Sequence, residues 1–145
     1  MQRLRKVIER RELVVGSPNA TVLETVLAMT ERRAGAIPIV EDDMLVGVFS
    51  ERDLLRRVVA AGRDPSITRI REVMTRDVVT ATLTESVDEC LDKMKRAGCR
   101  HLPIESDGRV IAMIAMRDLL RDELEEQTDE LRFLRAYVHQ TPLRS

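Results

Sequence analysis

The chain has 145 residues, enough for one compact domain with a real core and too few for two independent domains of usual size. Its 24 Lys and Arg balance 25 Asp and Glu, so net charge supplies no pull towards nucleic acid or an anionic membrane surface. Two Phe, one Tyr and no Trp leave almost no platforms for stacking single-stranded bases, so aliphatic residues and methionine must build a single core.

The amino terminus, MQRLRKVIERREL, is basic and amphipathic and lacks the continuous apolar run of a signal peptide or membrane span. Cys90 and Cys99 lie nine apart with no C-x-x-C, which makes neither a zinc framework nor a secreted disulfide scaffold. A soluble, cytoplasmic protein with reduced thiols is expected. A short β-rich run, LVV from Leu13, leads to Thr21 and Glu24, a capping box that opens a helix near 22–33. A strand ending in Pro38-Ile39 follows, then the acidic turn EDDM, the apolar strand LVGVFS from Leu45, and a helix opening at ERDLL. The same grammar then recurs. VVT from Val78 leads to Ser86 and Glu89, a helix over 87–97, a strand ending in Pro103-Ile104, the turn ESDG, the strand VIAMIA, and a helix opening at MRDLL.

Setting residue i against i+65 makes the recurrence quantitative: 11 identities fall in the 42 ungapped positions from Val14 to Leu55. Val14 meets Val79, Met29 meets Met94, Pro38-Ile39 meets Pro103-Ile104, and RDLL meets RDLL. The fold is therefore read as α/β (α+β), with two tandem β-α-β-β-α repeats over 1–70 and 71–122. A unit of about 60 residues is marginal alone, so the copies are expected to pack face to face with pseudo-twofold symmetry and to share a core. Such packing builds two related clefts, each lined by both copies. Residues 123–145 are expected to form a C-terminal helical extension. Leu120, Leu124, Leu131, Leu134 and Val138 step by heptad spacing, with Gln127 filling the one gap. Residues 121–130 carry net charge −5 and residues 1–11 net +4, so the two terminal segments suit pairing within a chain or across a homodimer.

The stretch GVFSERDLL, Gly47 to Leu55, supports two readings. In one, Ser50 caps the next helix and Asp53 complements its positive end. In the other, Asp53 accepts from both hydroxyls of a ribose, the helix start attracts phosphate, and Gly47 lets the backbone come close to the ligand. Arg100-His101 in GCRHLPI is either a solvated strand end or a contact for an anion. As a metal ligand His101 has only Arg100 and Cys99 adjoining it, a poor set. Met29, Met94 and Met113 read as core filler. No nucleophile, base and acid stand in a catalytic pattern, so no catalytic residue is assigned and an enzyme is not expected.

In this order, twice, the pieces AIPIV, GVFSERDLL, VMTRDVVT, CRHLPI and MRDLL resemble a tandem pair of cystathionine-β-synthase-type (CBS) domains, a Bateman module, over about residues 1 to 122. The resemblance implies a sensor of adenosine ligands. It gives Asp53 the ribose, Ser50 the ribose or phosphate, and Arg100-His101 of the opposite copy the phosphate. It sets the adenine near Val14 and Ile37. Under it the second cleft keeps its ribose carboxylate, Asp118, but has Ala112 and Ala115 in place of Gly47 and Ser50, and Gly35-Ala36 in place of the basic pair. The expectation is one tightly bound adenine nucleotide (AMP, ADP or ATP) per chain, a regulatory ligand, with no obligatory cofactor or metal. AMP, ADP, ATP, a dinucleotide and S-adenosylmethionine stay open as identities. Expected partners are a second copy of the chain and an effector protein, with no nucleic acid and no membrane. The alternatives are an interaction scaffold without a nucleotide and, more weakly, a nucleic-acid binder using the basic N-terminal segment.

Overall fold

The computed structural model describes residues 2–9 and 12–140. A leading helix, α1 (Gln2–Glu9), precedes the first repeat. That repeat comprises α2 (Val22–Arg32), the hairpin β1 (Ala36–Glu41) and β2 (Met44–Ser50), and α3, which opens as Glu51–Asp53 and continues as a π-helical stretch, Leu54–Val59. A short helix, α4 (Ile70–Val73), introduces the second repeat: α5 (Val87–Ala97), β3 (His101–Ser106), β4 (Arg109–Ala115) and α6 (Met116–Gln140). The tandem α/β arrangement expected from the sequence is the one observed.

Local chemistry sets the boundaries. The Thr21 hydroxyl accepts from the Glu24 amide at 3.1 Å, and the Ser86 hydroxyl from the Glu89 amide at 3.1 Å, satisfying a free N–H at each helix start. Gly98 ends α5 in the left-handed region at φ 68°, where a missing Cβ removes the steric penalty. Both hairpins turn on two residues of positive φ, Asp42-Asp43 and Asp107-Gly108, as a two-residue turn between right-twisted strands requires. Their registers are copies of one another. Ala36 lies opposite Ser50 and His101 opposite Ala115, with an irregularity after Ile39 in one and after Ile104 in the other.

The strand expected at the head of each repeat is reduced to a single parallel bridge, Gly16 to Ile39 and Ala81 to Ile104. Gly16 donates to the Pro38 carbonyl and accepts from the Val40 amide, both at 2.9 Å, and the chain then leaves for the helix cap.

The expectation of one shared core is corrected. The buried residues form two clusters, and each takes in the helix that precedes the other repeat. Leu4 and Val7 of α1 pack with Met94, Leu102, Ile114 and Leu119 of the second repeat. Ile70, Val73 and Met74, in and after α4, pack with Val22, Ile39 and Phe49 of the first. A single repeat has too few apolar residues to close over its own sheet, and the exchanged helix supplies the missing layer. Between the clusters β2 and β4 lie side by side, and the Leu45 amide reaches the Gly108 carbonyl at 3.5 Å.

Candidate functional site

The site grows from the start of α3. The Ser50 hydroxyl accepts from the Asp53 amide at 3.2 Å, while Asp53 Oδ2 accepts from the Ser50 amide at 3.0 Å and the Ser50 hydroxyl at 3.1 Å. This is a reciprocal capping box with an aspartate in the third position. Its other oxygen, Oδ1, accepts from the Thr75 hydroxyl at 3.0 Å and lies 3.7 Å from Arg57 Nε. Asp53 is 7% exposed, and its carboxylate accepts three hydrogen bonds from its own chain.

Thr75 reaches Asp53 because the segment joining the repeats runs along β2. The amides and carbonyls of Val48 and Thr75 exchange two hydrogen bonds of 2.9 Å. Gly47 is required there for a structural reason: a Cβ would stand 2.7 Å from the Met74 sulfur and 2.9 Å from the Thr75 carbonyl oxygen. The Arg57 guanidinium donates to the Met74 carbonyl at 2.9 Å, tying α3 to the same segment.

The second repeat supplies the opposite wall. The turn after α5 brings Arg100 and His101 to the start of β3, and the Arg52 guanidinium donates across the repeats to the Gly98 carbonyl at 2.8 Å. The His101 ring lies against Gly35, where a Cβ would come within 3.2 Å of its Cε1 and Nε2. Between the walls is a cleft of about 590 Å³, within the range of small-molecule sites. Arg52, Arg56, Arg57 and Arg100 line it against Glu51, Asp53 and Asp77, while Val48, Val78, Val79 and Pro103 give it an apolar side. Cys99 also lines it, and burial holds that thiol above its usual pKa.

Of the residues singled out in the sequence, Ser50, Asp53, Arg100 and His101 lie together in this cleft. Val14, Ile37 and Gly47 do not line it. Ile37 is in the first repeat's core, with Val14 packed against the same cluster. Of the apolar residues that do line the cleft, Val48 comes from β2 while Val78, Val79 and Pro103 come from the other copy, because the head of the second repeat crosses over β2. Val79 is the 65-residue partner of Val14. Gly35-Ala36, expected in the second cleft in place of the basic pair, lines this one beside His101. Asp118 lies elsewhere, buried at the first turn of α6. The residues equivalent to Ser50 and Arg57 there are Ala115 and Asp122, so a cap hydroxyl and a cation are replaced by a methyl and a carboxylate. Thr75 and Arg57 were missed. Arg57 stands four residues after Asp53, a spacing that places both on one helix face and was readable in RDLLRR.

Among the described residues no cluster of three His, Cys, Asp or Glu is placed to hold a metal ion, and no helix is long and apolar enough to cross a membrane. The family model of the CBS domain matches twice, at residues 5–60 and 70–125. The chain belongs to the CBS domain family. An uncharacterised protein of Methanopyrus kandleri is 36% identical over 118 residues, 80% of this chain and 60% of that one. The chain spans about 60% of the length of the first two curated relatives it matches. The solved CBS domain structure of NE2398 superposes with a TM-score of 0.78 at 27% identity, over 83% of this chain and 97% of that one. The CBS domain pair of protein MJ0100, solved with 5′-methylthioadenosine and S-adenosyl-L-methionine, shares the fold. Its TM-score is 0.72 at 24% identity, over 81% of this chain and 91% of that one. A CBS pair is a regulatory module, and the repeat of CBS domains is what the 65-residue self-similarity records.

Proposed function

We propose that this CBS pair is a non-catalytic sensor that binds an adenine nucleotide in the cleft between Asp53 and Arg100-His101 and signals occupancy to a partner protein. The observation that carries the reading is convergence: a ribose-type acceptor from one repeat and a basic pair from the other border a single cleft. The apolar side, Val48, Val78, Val79 and Pro103, suits a purine face. Four arginines against three acids favour a phosphate-bearing ligand over S-adenosylmethionine, whose sulfonium is itself cationic. That the MJ0100 pair holds adenosine compounds supports the adenosine part of the reading. One tight site per chain follows from the alanines and Asp122 at the equivalent positions of the second repeat.

A second reading, an interaction scaffold without a nucleotide, is favoured by one fact: Asp53 already serves as the cap of α3 and the acceptor of Thr75. Titration calorimetry with AMP, ADP, ATP and S-adenosylmethionine separates the two. The sensor reading expects one phosphate-bearing ligand per chain, weakened at least tenfold by removal of the ribose 2′-hydroxyl. Absence of heat and of any thermal shift with all four would leave the scaffold.

A further inference from the structure

We propose that α6 pairs with the α6 of a second copy of this chain as a parallel, in-register, two-stranded coiled coil. From Leu124 onward the helix exposes leucines at half or more of their surface: Leu124 at 63%, Leu131 at 54% and Leu134 at 53%. With Leu120, Gln127 and Val138 they alternate in steps of four and three, the d and a positions of a heptad. Over residues 120–138 this seam is about 28 Å long at 1.5 Å per residue. Asp118, Leu119 and Asp122, the buried residues of the same helix, lie from about a quarter to nearly half a turn away, so the chain's own repeat does not cover the seam.

Two features select the occupant and its direction. In parallel register Gln127 meets the partner's Gln127, and the two amides satisfy each other; in antiparallel register each amide is set against the partner's Leu131. The flanking charges agree. Parallel pairing brings Glu130, at g, to the partner's Arg135, at e, twice by symmetry, whereas antiparallel pairing opposes Glu130 to Glu130 and Arg121 to Arg135. The remaining acids of 121–130 that are not on e or g fall at b, c and f, away from the seam.

Disulfide trapping on the full chain carrying Cys99→Ser, with Cys90 buried, tests the geometry. Leu134→Cys in this background is expected to oxidise almost completely to a linked dimer, because facing d positions coincide in parallel register. An equimolar mixture of Leu124→Cys and Leu134→Cys chains is expected to give only the two homodimers. A predominant 124-to-134 heterodimer would show antiparallel pairing and overturn the proposal. Leu131→Glu, an exposed change that leaves the repeats intact, is expected to shift the sedimenting species from dimer to monomer with unchanged helicity. Sedimentation of the unmodified chain as a monomer at tens of micromolar overturns it outright.

Discussion

Leu4→Ala tests the exchange of helices between the repeats. Leu4 belongs to α1, ahead of the first repeat, yet its side chain is fully buried among Met94, Leu102, Ile114 and Leu119 of the second. Truncation removes three methyl or methine carbons from a closed cluster. Leu→Ala changes of this kind cost about 2–5 kcal/mol, and about 3 is reasonable for a fully buried side chain. A domain of this size loses about 2–4 °C of Tm per kcal/mol, so the midpoint is expected to fall by roughly 6–12 °C. Hydrogen exchange then reads where the loss is felt. Protection is expected to fall first over 101–119, far along the sequence from the substitution, while 36–50 keeps its protection. Ile70→Ala, its counterpart in the other cluster, is expected to reverse the pattern. Equal loosening of both hairpins by either variant, or loosening of the repeat that follows each helix, would refute the exchanged packing.

Other consequences are open to direct measurement. Gly47→Ala sets a Cβ against the Thr75 carbonyl, a backbone atom that cannot swing away, and is expected to lose about 1–3 kcal/mol in chemical denaturation. The double variant Arg100→Ala with His101→Ala is expected to abolish the tight nucleotide event in calorimetry, each lost charged contact being of order 1.5–3 kcal/mol; unchanged affinity would remove the basic pair from the site. Burial pushes the Cys90 thiol up to about 11 from 9.0. The folded form therefore favours the protonated thiol, a contribution complete below pH 9 and lost as pH rises towards 11. Midpoints recorded across that window are expected to fall less steeply for Cys90→Ala than for the unmodified chain.

The repeat and the hairpins were legible because they rest on local rules: hydroxyl caps at Thr21 and Ser86, two-residue turns, and Pro-Ile strands at a fixed offset. The head strands were overread, since LVV and VVT have strand composition but only Gly16 and Ala81 reach a neighbour. Val14 and Ile37, placed near the adenine by the family resemblance, illustrate what matching positions along a sequence withhold. Apolar residues at equivalent points of two copies have the same pattern whether they face their own core or the other copy's cleft, and only the path of 73–79 across β2 decides that Val79 lines it. Thr75 was invisible for the same reason: its hydroxyl matters through a pairing 22 residues distant.

That hydroxyl gives Asp53 a second role. A ligand that takes this carboxylate as its acceptor has to compete with Thr75, and Thr75 is held in the segment whose preceding residues, Ile70, Val73 and Met74, seal the first repeat's core. Occupancy and linker order would therefore be rivals for the same oxygen, Oδ1, and displacement of Thr75 would loosen the strap between the repeats in proportion to site occupancy. On the proposed sensor reading, the joint between the two halves would in this way also be the point at which a small molecule resets them.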